Sequence, residues 1–197
     1  MAQTQQSRAD ILLANPAPIG LMAFGTTTVL LNLANAGAIP ADSIILAMGL
    51  FYGGAAQILA GAFEFRKGNT FGMTAFISYG FFWISLVFIL FPTQLLGGSY
   101  SAASLSSYLF LWGLFSLIMF FGTLRHSGAL MFVFGTLTIL FFLLSAGFGW
   151  NNSNVIKFAG YEGILCGLGA IYTSAANILN ETYAKSVLPT FPVKQKG

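Results

Sequence analysis

The chain has 197 residues, of which 56% are hydrophobic and only 7% are charged. Soluble domains carry roughly 25% charged residues, so this composition excludes a soluble fold and predicts an integral membrane protein. The formal net charge of +3 forms no basic patch, so nucleic acid is not an expected partner. The single cysteine, Cys166, excludes an internal disulfide and a cysteine metal cluster.

Six stretches are long enough to span a membrane, which takes about 20 mostly apolar residues. In chain order the predicted spans cover approximately residues 18–37, 43–65, 70–91, 105–124, 129–148 and 155–180. Between the third and fourth spans, Pro92, Gly97, Gly98 and a serine-rich run to Ser107 predict a loop. The predicted fold class is therefore an all-α integral membrane protein with six transmembrane helices.

The first span follows the segment Asn-Pro-Ala-Pro, residues 15–18. Pro16 and Pro18 lack a backbone N–H and fit at a helix start, and Asn15 is a favoured N-cap residue. Two interpretations stay open: the segment only starts the helix, or it also contacts a solute. Water channels carry Asn-Pro-Ala twice, each at a half-helix, whereas this chain has one copy at the edge of a full span, so that class is not favoured.

The distribution of basic residues predicts the orientation, because Lys and Arg are enriched in cytoplasmic loops. With six spans both termini share one side, and that side holds seven of the eight basic residues, the exception being Lys157. We therefore predict that both termini are cytoplasmic. The predicted organisation is a cytoplasmic tail (1–14), a six-helix transmembrane domain (15–182) and a second cytoplasmic tail (183–197).

Small residues recur at spacings of four in two spans. In the second span Gly49, Gly53, Gln57 and Gly61 fall at this spacing, with Gln57 as the exception to the small size, and in the sixth span Gly163 and Gly167 do so. Such spacing lets helices approach closely in lipid, so tight helix packing is the preferred interpretation.

Titratable residues give little support for an enzyme. The only histidine is His126, in a predicted turn, and the acidic residues lie near predicted helix ends: Asp10, Asp42, Glu64, Glu162 and Glu181. No pair has metal-ligand spacing, so we predict no catalytic residue, metal or cofactor. A charge-coupled pump is disfavoured because such pumps place ionisable groups inside the bilayer. Glu162 is expected at the interface, in contact with solvent.

Uncharged polar residues within the spans are the remaining candidates for a function. Asn32, Gln57 and Trp83 are examples from the first three spans. Such side chains can line a pathway for a small solute, or can bond their own or a neighbouring helix. For Gln57 both interpretations stay open. The residues by themselves predict a six-helix channel or transporter for a small solute.

Several motifs occur in a fixed order along nearly the whole chain. They are Asn-Pro-Ala-Pro-Ile-Gly-Leu at 15–21, Ile-Leu-Ala-Met-Gly-Leu-Phe-Tyr-Gly-Gly at 45–54, Lys-Gly-Asn-Thr-Phe-Gly at 67–72, Ser-Tyr-Gly-Phe-Phe-Trp at 78–83, Phe-Phe-Gly-Thr-Leu at 120–124 and Leu-Asn-Glu at 179–181. In this order they resemble the acetate uptake transporter family, and within it the bacterial succinate–acetate permeases.

The resemblance implies a homohexamer in the lipid bilayer, with one pathway in each protomer for a small carboxylate: acetate and, in some members, succinate. It implies a plasma-membrane location, which is the inner membrane in a Gram-negative cell. It also implies a narrow hydrophobic constriction, which matches Phe24, Tyr79 and Leu137 here. Further candidates for substrate-binding groups along the pathway are Asn15, Thr27, Asn32, Gln57 and Trp83.

The expected function is proton-linked uptake of acetate. Acetate is almost wholly ionised near neutral pH, and a bare anion in hydrocarbon is very costly. Hydroxyls, amides and helix N-termini can offset that cost. Three alternatives stay open: a passive acetate anion channel, a channel for a small neutral solute such as ammonia or urea, and a membrane scaffold.

Overall fold

A computed structural model describes residues 14–90 and 99–193. In this part of the chain six helices are long and apolar enough to cross a membrane. They are α1 (Ala17–Asn35), α2 (Ser43–Arg66), α3 (Thr70–Leu90), α4 (Ala102–Thr123), α5 (Gly128–Gly149) and α6 (Ser153–Thr182). The prediction of an all-α protein with six spans is confirmed.

The start of α1 is fixed by the proline-rich segment. The Asn15 side-chain oxygen accepts the Ala17 backbone N–H at 3.2 Å, although the N-cap position itself belongs to Pro16. The Pro18 carbonyl accepts a hydrogen bond from the Ser174 hydroxyl of α6 at 2.6 Å. This segment therefore starts the helix, as predicted, and also ties α1 to α6.

The fourth span starts earlier than predicted, at Ala102. The Ser101 side chain accepts the Ser104 backbone N–H at 3.0 Å and so acts as an N-cap. The following serines continue the helix, and the Ser106 hydroxyl bonds the Ser145 carbonyl of α5 at 2.8 Å. The predicted serine-rich loop is therefore wrong beyond Ser101, while residues 91–98 lie outside the described part of the chain.

The sixth span also starts earlier than predicted, at Ser153, because the Asn152 side chain caps it. Glu162 consequently lies more than two turns inside the helix. Both of its carboxyl oxygens are buried and have no hydrogen-bond partner among the described residues. The expectation that Glu162 is solvated at the interface is therefore wrong within a single protomer.

Glycines bring the helices together where the spacing predicted it. A Cβ atom on Gly25 of α1 would lie 2.7 Å from the carbonyl oxygen of Gly167 of α6, and one on Gly167 would lie 2.7 Å from that of Gly25. On α2, a Cβ on Gly53 would lie 2.8 Å from the Trp83 ring, and one on Gly61 would lie 2.5 Å from an Ile77 side-chain carbon. The predicted packing function of both small-residue stripes is confirmed.

The second span contains a feature that the sequence did not indicate. Its central part, Met48–Ala56, is a π-helix, and Gln57 begins the α-helical part that follows. The Thr27 hydroxyl donates to the Met48 carbonyl at 3.5 Å. Most π-helices are single-turn bulges, and they are frequent at functional sites. Gln57 therefore directly follows the π-helical segment.

After α6 the chain folds back over the start of α5. We call residues 184–193 the C-terminal segment. The Asn180 amide nitrogen donates to the Leu188 carbonyl at 2.8 Å, and the Gly128 backbone N–H donates to the Phe191 carbonyl at 2.8 Å. The segment thus satisfies an N–H group that a helix start leaves without an intrahelical partner.

Candidate functional site

Two cavities enter the helix bundle from opposite sides. The first, of about 150 Å³, lies at the side where both ends of the described chain are found, and its lining includes Glu64 and Asn69. The second, of about 60 Å³, lies at the other side, and its lining includes Asn32 and Trp83. We call them the termini-side cavity and the opposite cavity. Each has room for water or a small solute.

The same two side chains line both cavities. They are Phe24 of α1 and Leu137 of α5, which are 5% and 2% exposed. Tyr79 of α3 lines the termini-side cavity next to them, with its ring centroid 5.8 Å from that of Phe24. The three helices therefore place two aromatic rings and a leucine at the boundary between the cavities.

The hydroxyl of Tyr79 forms a hydrogen bond away from this boundary. Its oxygen lies 2.8 Å from the Ser116 hydroxyl of α4. Because Ser116 donates its own proton to the Trp112 carbonyl at 2.8 Å, Tyr79 is the donor of the pair. The boundary is therefore apolar even though one of its members carries a hydroxyl group.

The opposite cavity holds two polar groups without partners. Asn32 is satisfied, because its amide donates to the Thr28 carbonyl at 2.9 Å and accepts from the Asn35 amide at 3.0 Å. The Trp83 indole N–H and the Thr28 hydroxyl, in contrast, are buried with no partner in the described chain. Buried polar groups are costly when unpaired, so these two are ready to bond a polar solute.

The termini-side cavity is the more polar of the two. Gln57 and Glu64 of α2 are each 1% exposed, and the Gln57 amide oxygen is buried without a partner in the described chain. The Asn69 amide donates to a Glu64 carboxylate oxygen at 2.8 Å. The lining also contains Thr173 and Asn177 of α6, together with His126, Ser127 and Thr190.

The predicted site residues therefore divide into two groups. The structure brings Phe24, Tyr79 and Leu137 together at the boundary, and it places three further candidates in the cavities: Asn32, Gln57 and Trp83. The other two candidates, Asn15 and Thr27, line neither cavity. Asn15 caps the start of α1, and Thr27 is fully buried between α1 and α2.

Sequence reasoning missed Thr28 and Glu64 as lining residues, although helical spacing contains a signal for both. Thr28 lies four residues after Phe24, and Glu64 lies seven after Gln57, so each pair shares a helix face. Thr27 is turned away from that face. Glu64 was predicted only as a charged residue at the end of a span, so its place in the cavity lining was not predicted.

This arrangement is suited to the passage of a small solute rather than to the catalysis of a reaction. The residues that the structure describes contain no group of three or more His, Cys, Asp or Glu placed to hold a metal ion. Neither cavity has a lysine or arginine among its described lining residues. Six spans with a cavity on each side of an apolar boundary define a membrane transport protein.

Comparison with known proteins agrees with this class. The chain belongs to the GPR1/FUN34/yaaH family, whose model matches residues 2–195. The family resemblance seen in the motifs is confirmed. The relatives described next are transporters or channels, so the prediction that the protein is not an enzyme is also confirmed.

Two relatives and one solved structure illustrate the similarity. The succinate-acetate/proton symporter SatP of Escherichia coli (strain K12) is 56% identical over 178 residues, which cover 90% of this chain and 95% of that protein. Acetate permease A of Emericella nidulans is 38% identical over 204 residues, covering 93% of this chain and 68% of that protein. A structure of the bacterial acetate channel SatP matches with a TM-score of 0.89 at 55% identity, covering 90% of this chain and 99% of that one.

Proposed function

We propose that the protein carries acetate, and more slowly succinate, across the plasma membrane. The observation that carries this proposal is the meeting of two cavities at Phe24 and Leu137. The names of the similar SatP and acetate permease A support a carboxylate rather than a neutral solute such as ammonia or urea. The cavities also argue against a scaffold, which needs no space inside the protomer.

In this proposal Phe24, Tyr79 and Leu137 form the constriction that selects the solute. Their apolar side chains, all at most 5% exposed, accept the acetate methyl group and leave little room for a larger acid. Apolar constrictions also gate by excluding water, and the anion must lose most of its hydration there. Size and dehydration together then favour the smallest carboxylates.

Polar groups on each side of the constriction compensate for part of that dehydration. The Trp83 indole N–H, with the Thr28 hydroxyl beside the same cavity, provides donors for a carboxylate on the opposite side. Gln57 provides an amide on the termini side. Because neither described lining includes a lysine or arginine, binding stays weak and release fast, as conduction requires.

Transport is linked to protons in the first version of this proposal. The name of the Escherichia coli relative, a proton symporter, supports it. The second version is a passive anion channel. It is favoured by the two cavities, which already reach the constriction from both sides without a rearrangement of helices. The solved relative is described as a channel.

The protein is proposed to work as a homohexamer with cytoplasmic termini, in the inner membrane if the cell is Gram-negative. The excess of basic residues on the side of the termini supports the orientation. The hexamer rests on the resemblance to the acetate uptake transporter family.

Uptake of labelled acetate into proteoliposomes tests the proposal, first with an imposed pH gradient and then with an imposed voltage at equal pH. Protein-free liposomes measure the acetic acid that crosses the lipid by itself. Accumulation driven by the acidic side and indifferent to voltage supports proton linkage, and flux that follows voltage supports the anion channel. Liposomes with protein that take up no more acetate than those without it refute both versions.

A further inference from the structure

A carboxyl group lies inside the candidate pathway for carboxylates. Glu64, near the end of α2, is 1% exposed and lines the termini-side cavity together with Gln57. Its hydrogen bond comes from the Asn69 amide at 2.8 Å. Most buried carboxylates are paired with a cation, which makes this neutral partner notable.

The turn between α2 and α3 fixes the geometry of this pair. Gly68 has a φ of +73°, a left-handed conformation that ends α2 and leads directly to Asn69. The Asn69 side-chain oxygen accepts the Gly72 backbone N–H at 3.0 Å, so its amide N–H₂ points at Glu64. A Cβ atom on Gly72 would lie 2.6 Å from that amide nitrogen, so a larger residue there would displace the Asn69 amide from Glu64.

The surroundings of Glu64 are poor in charge. The helices α1, α3 and α5 contain no charged residue. The other titratable side chains in the described lining are Tyr79 and His126. The charged residues Arg125, Glu181 and Lys185 at the same end of the bundle are all exposed. Arg66, the last residue of α2, is exposed, and Lys67 directly after it is half-exposed.

These observations have a consequence for a carboxylate solute. An acetate anion in the termini-side cavity would lie near the buried Glu64 carboxyl group, and the described lining holds no lysine or arginine to balance two negative charges. Two carboxylates that share such a site cannot both stay ionised, and one of them keeps a proton. A proton shared between the two carboxyl groups would remove this repulsion.

We propose that Glu64 is the proton-handling residue of the pathway, sharing one proton with the carboxyl group of the solute. Acetic acid that reaches the cavity donates along an O–H···O bond, so that its own O–H bond breaks as that of Glu64 forms. The acetate ion departs, and Glu64 then releases the proton to water at the mouth of the cavity. Asn69 positions the carboxyl group, and the inference rests on the proposed transport of acetate.

Proteoliposomes containing a pH dye test the inference when labelled acetate and membrane current are followed together. The wild-type protein is expected to move one proton with each acetate and to carry no current. Glu64→Gln keeps the shape and can still accept the Asn69 N–H, but it cannot hold the proton. In this variant we expect acetate to cross as the anion, with a current of one charge per acetate and no accompanying proton.

Two further variants serve as controls. Glu162→Gln removes the other buried carboxyl group, which lines neither cavity, and should behave as the wild type. Glu64→Asp retains a carboxyl group and should keep the accompanying proton at a lower rate. A Glu64→Gln protein that still moves one proton per acetate without current overturns the inference.

A measurement on the wild-type protein covers the case in which Glu64→Gln does not fold. A hydrophobic carbodiimide attaches to protonated buried carboxyl groups, and peptide mass analysis locates the modification. Because acetic acid protonates Glu64 in the proposed cycle, labelling of Glu64 should rise when acetate is present, while labelling of Glu162 should not change. Equal labelling of Glu64 with and without acetate overturns the inference, whereas a wild-type protein that moves no acetate refutes the proposed function itself and the inference with it.

Discussion

The two cavities differ in size and in chemistry. The termini-side cavity has about 150 Å³ and a carboxyl group, while the opposite cavity has about 60 Å³ and a lining of leucines and aromatic rings with an indole N–H and a hydroxyl among them. The termini side has a carboxyl group that can carry a proton, whereas the described lining of the opposite side has only uncharged polar groups. The two ends of the candidate pathway are therefore chemically different.

Removing the boundary between the cavities should have the largest effect. In Leu137→Ala and Phe24→Ala the two cavities merge, and the ratio of succinate to acetate uptake should rise roughly tenfold because a size filter is lost. Both substitutions should also destabilise the protein by about 2–5 kcal/mol, since buried side chains are truncated. Competition between the two labelled acids measures the ratio, and thermal unfolding in detergent measures the stability.

Leu140→Ala is a matched control for this experiment. Leu140 lies one turn further along α5, is 4% exposed and lines only the opposite cavity. It should lose similar stability without a change in the succinate-to-acetate ratio. An equal rise of the ratio in Leu140→Ala would place the selective step elsewhere.

Loosening the C-terminal segment should act on the termini side alone. Asn180 holds this segment through its amide, which donates to Leu188 and accepts from the backbone N–H groups of Val187 and Leu188. Asn180→Ala should lower the free energy of unfolding by about 0.5–1.5 kcal/mol, because hydrogen bonds to partly buried and exposed backbone groups are lost. The rate of amide hydrogen exchange should rise in residues 184–193 and stay unchanged around Trp83. The control is Asn154→Ala, at the exposed other end of α6, which should change neither the stability nor the exchange rate of residues 184–193.

A weaker effect is expected when the opposite cavity loses a donor. Trp83→Phe removes the unpaired indole N–H while it keeps most of the ring. One hydrogen bond to a solute is worth about 1 kcal/mol, so the acetate KM should rise roughly fivefold with little change in the maximal rate. Trp112→Phe, whose ring lines neither cavity, should leave KM unchanged. A KM that responds equally to both substitutions would remove Trp83 from the pathway.

The smallest effect is expected for Tyr79→Phe. The Tyr79 hydroxyl bonds Ser116 on α4, and Ser116 keeps its bond to the Trp112 carbonyl when that hydroxyl is removed. Acetate uptake should stay within about twofold of the wild type, because one satisfied hydroxyl contributes roughly 1 kcal/mol or less. A large loss of uptake would show that this hydroxyl contacts the solute, contrary to the geometry described above.

The sequence predicted the six spans well because the bilayer sets their length and excludes charges from them. It predicted less of the site, since a lining depends on how helices rotate against one another. Thr27 and Thr28 are chemically alike, and only the packing of α1 against α2 decides that Thr28 lines a cavity. The glycine stripes predicted close helix contacts but did not indicate which helices are in contact. No sequence pattern in Met48–Ala56 predicted that this segment is a π-helix. Glu64 resembles an ordinary charge at a helix end in the sequence, and only the structure shows that the turn before α3 places Asn69 beside it.

The C-terminal segment has a consequence for how the protein is made. Thr190 lines the termini-side cavity, and the Thr190 and Phe191 carbonyls bond the start of α5. These residues follow all six spans in the chain, so they leave the ribosome after every helix has been synthesised. The mouth of the cavity is completed only at that late point, and a nascent chain held in the translocon exposes the start of α5 without its cover. Chains truncated before residue 190 should consequently lack this part of the cavity lining and leave the start of α5 uncovered. We expect membrane proteases to degrade them faster than the full-length chain.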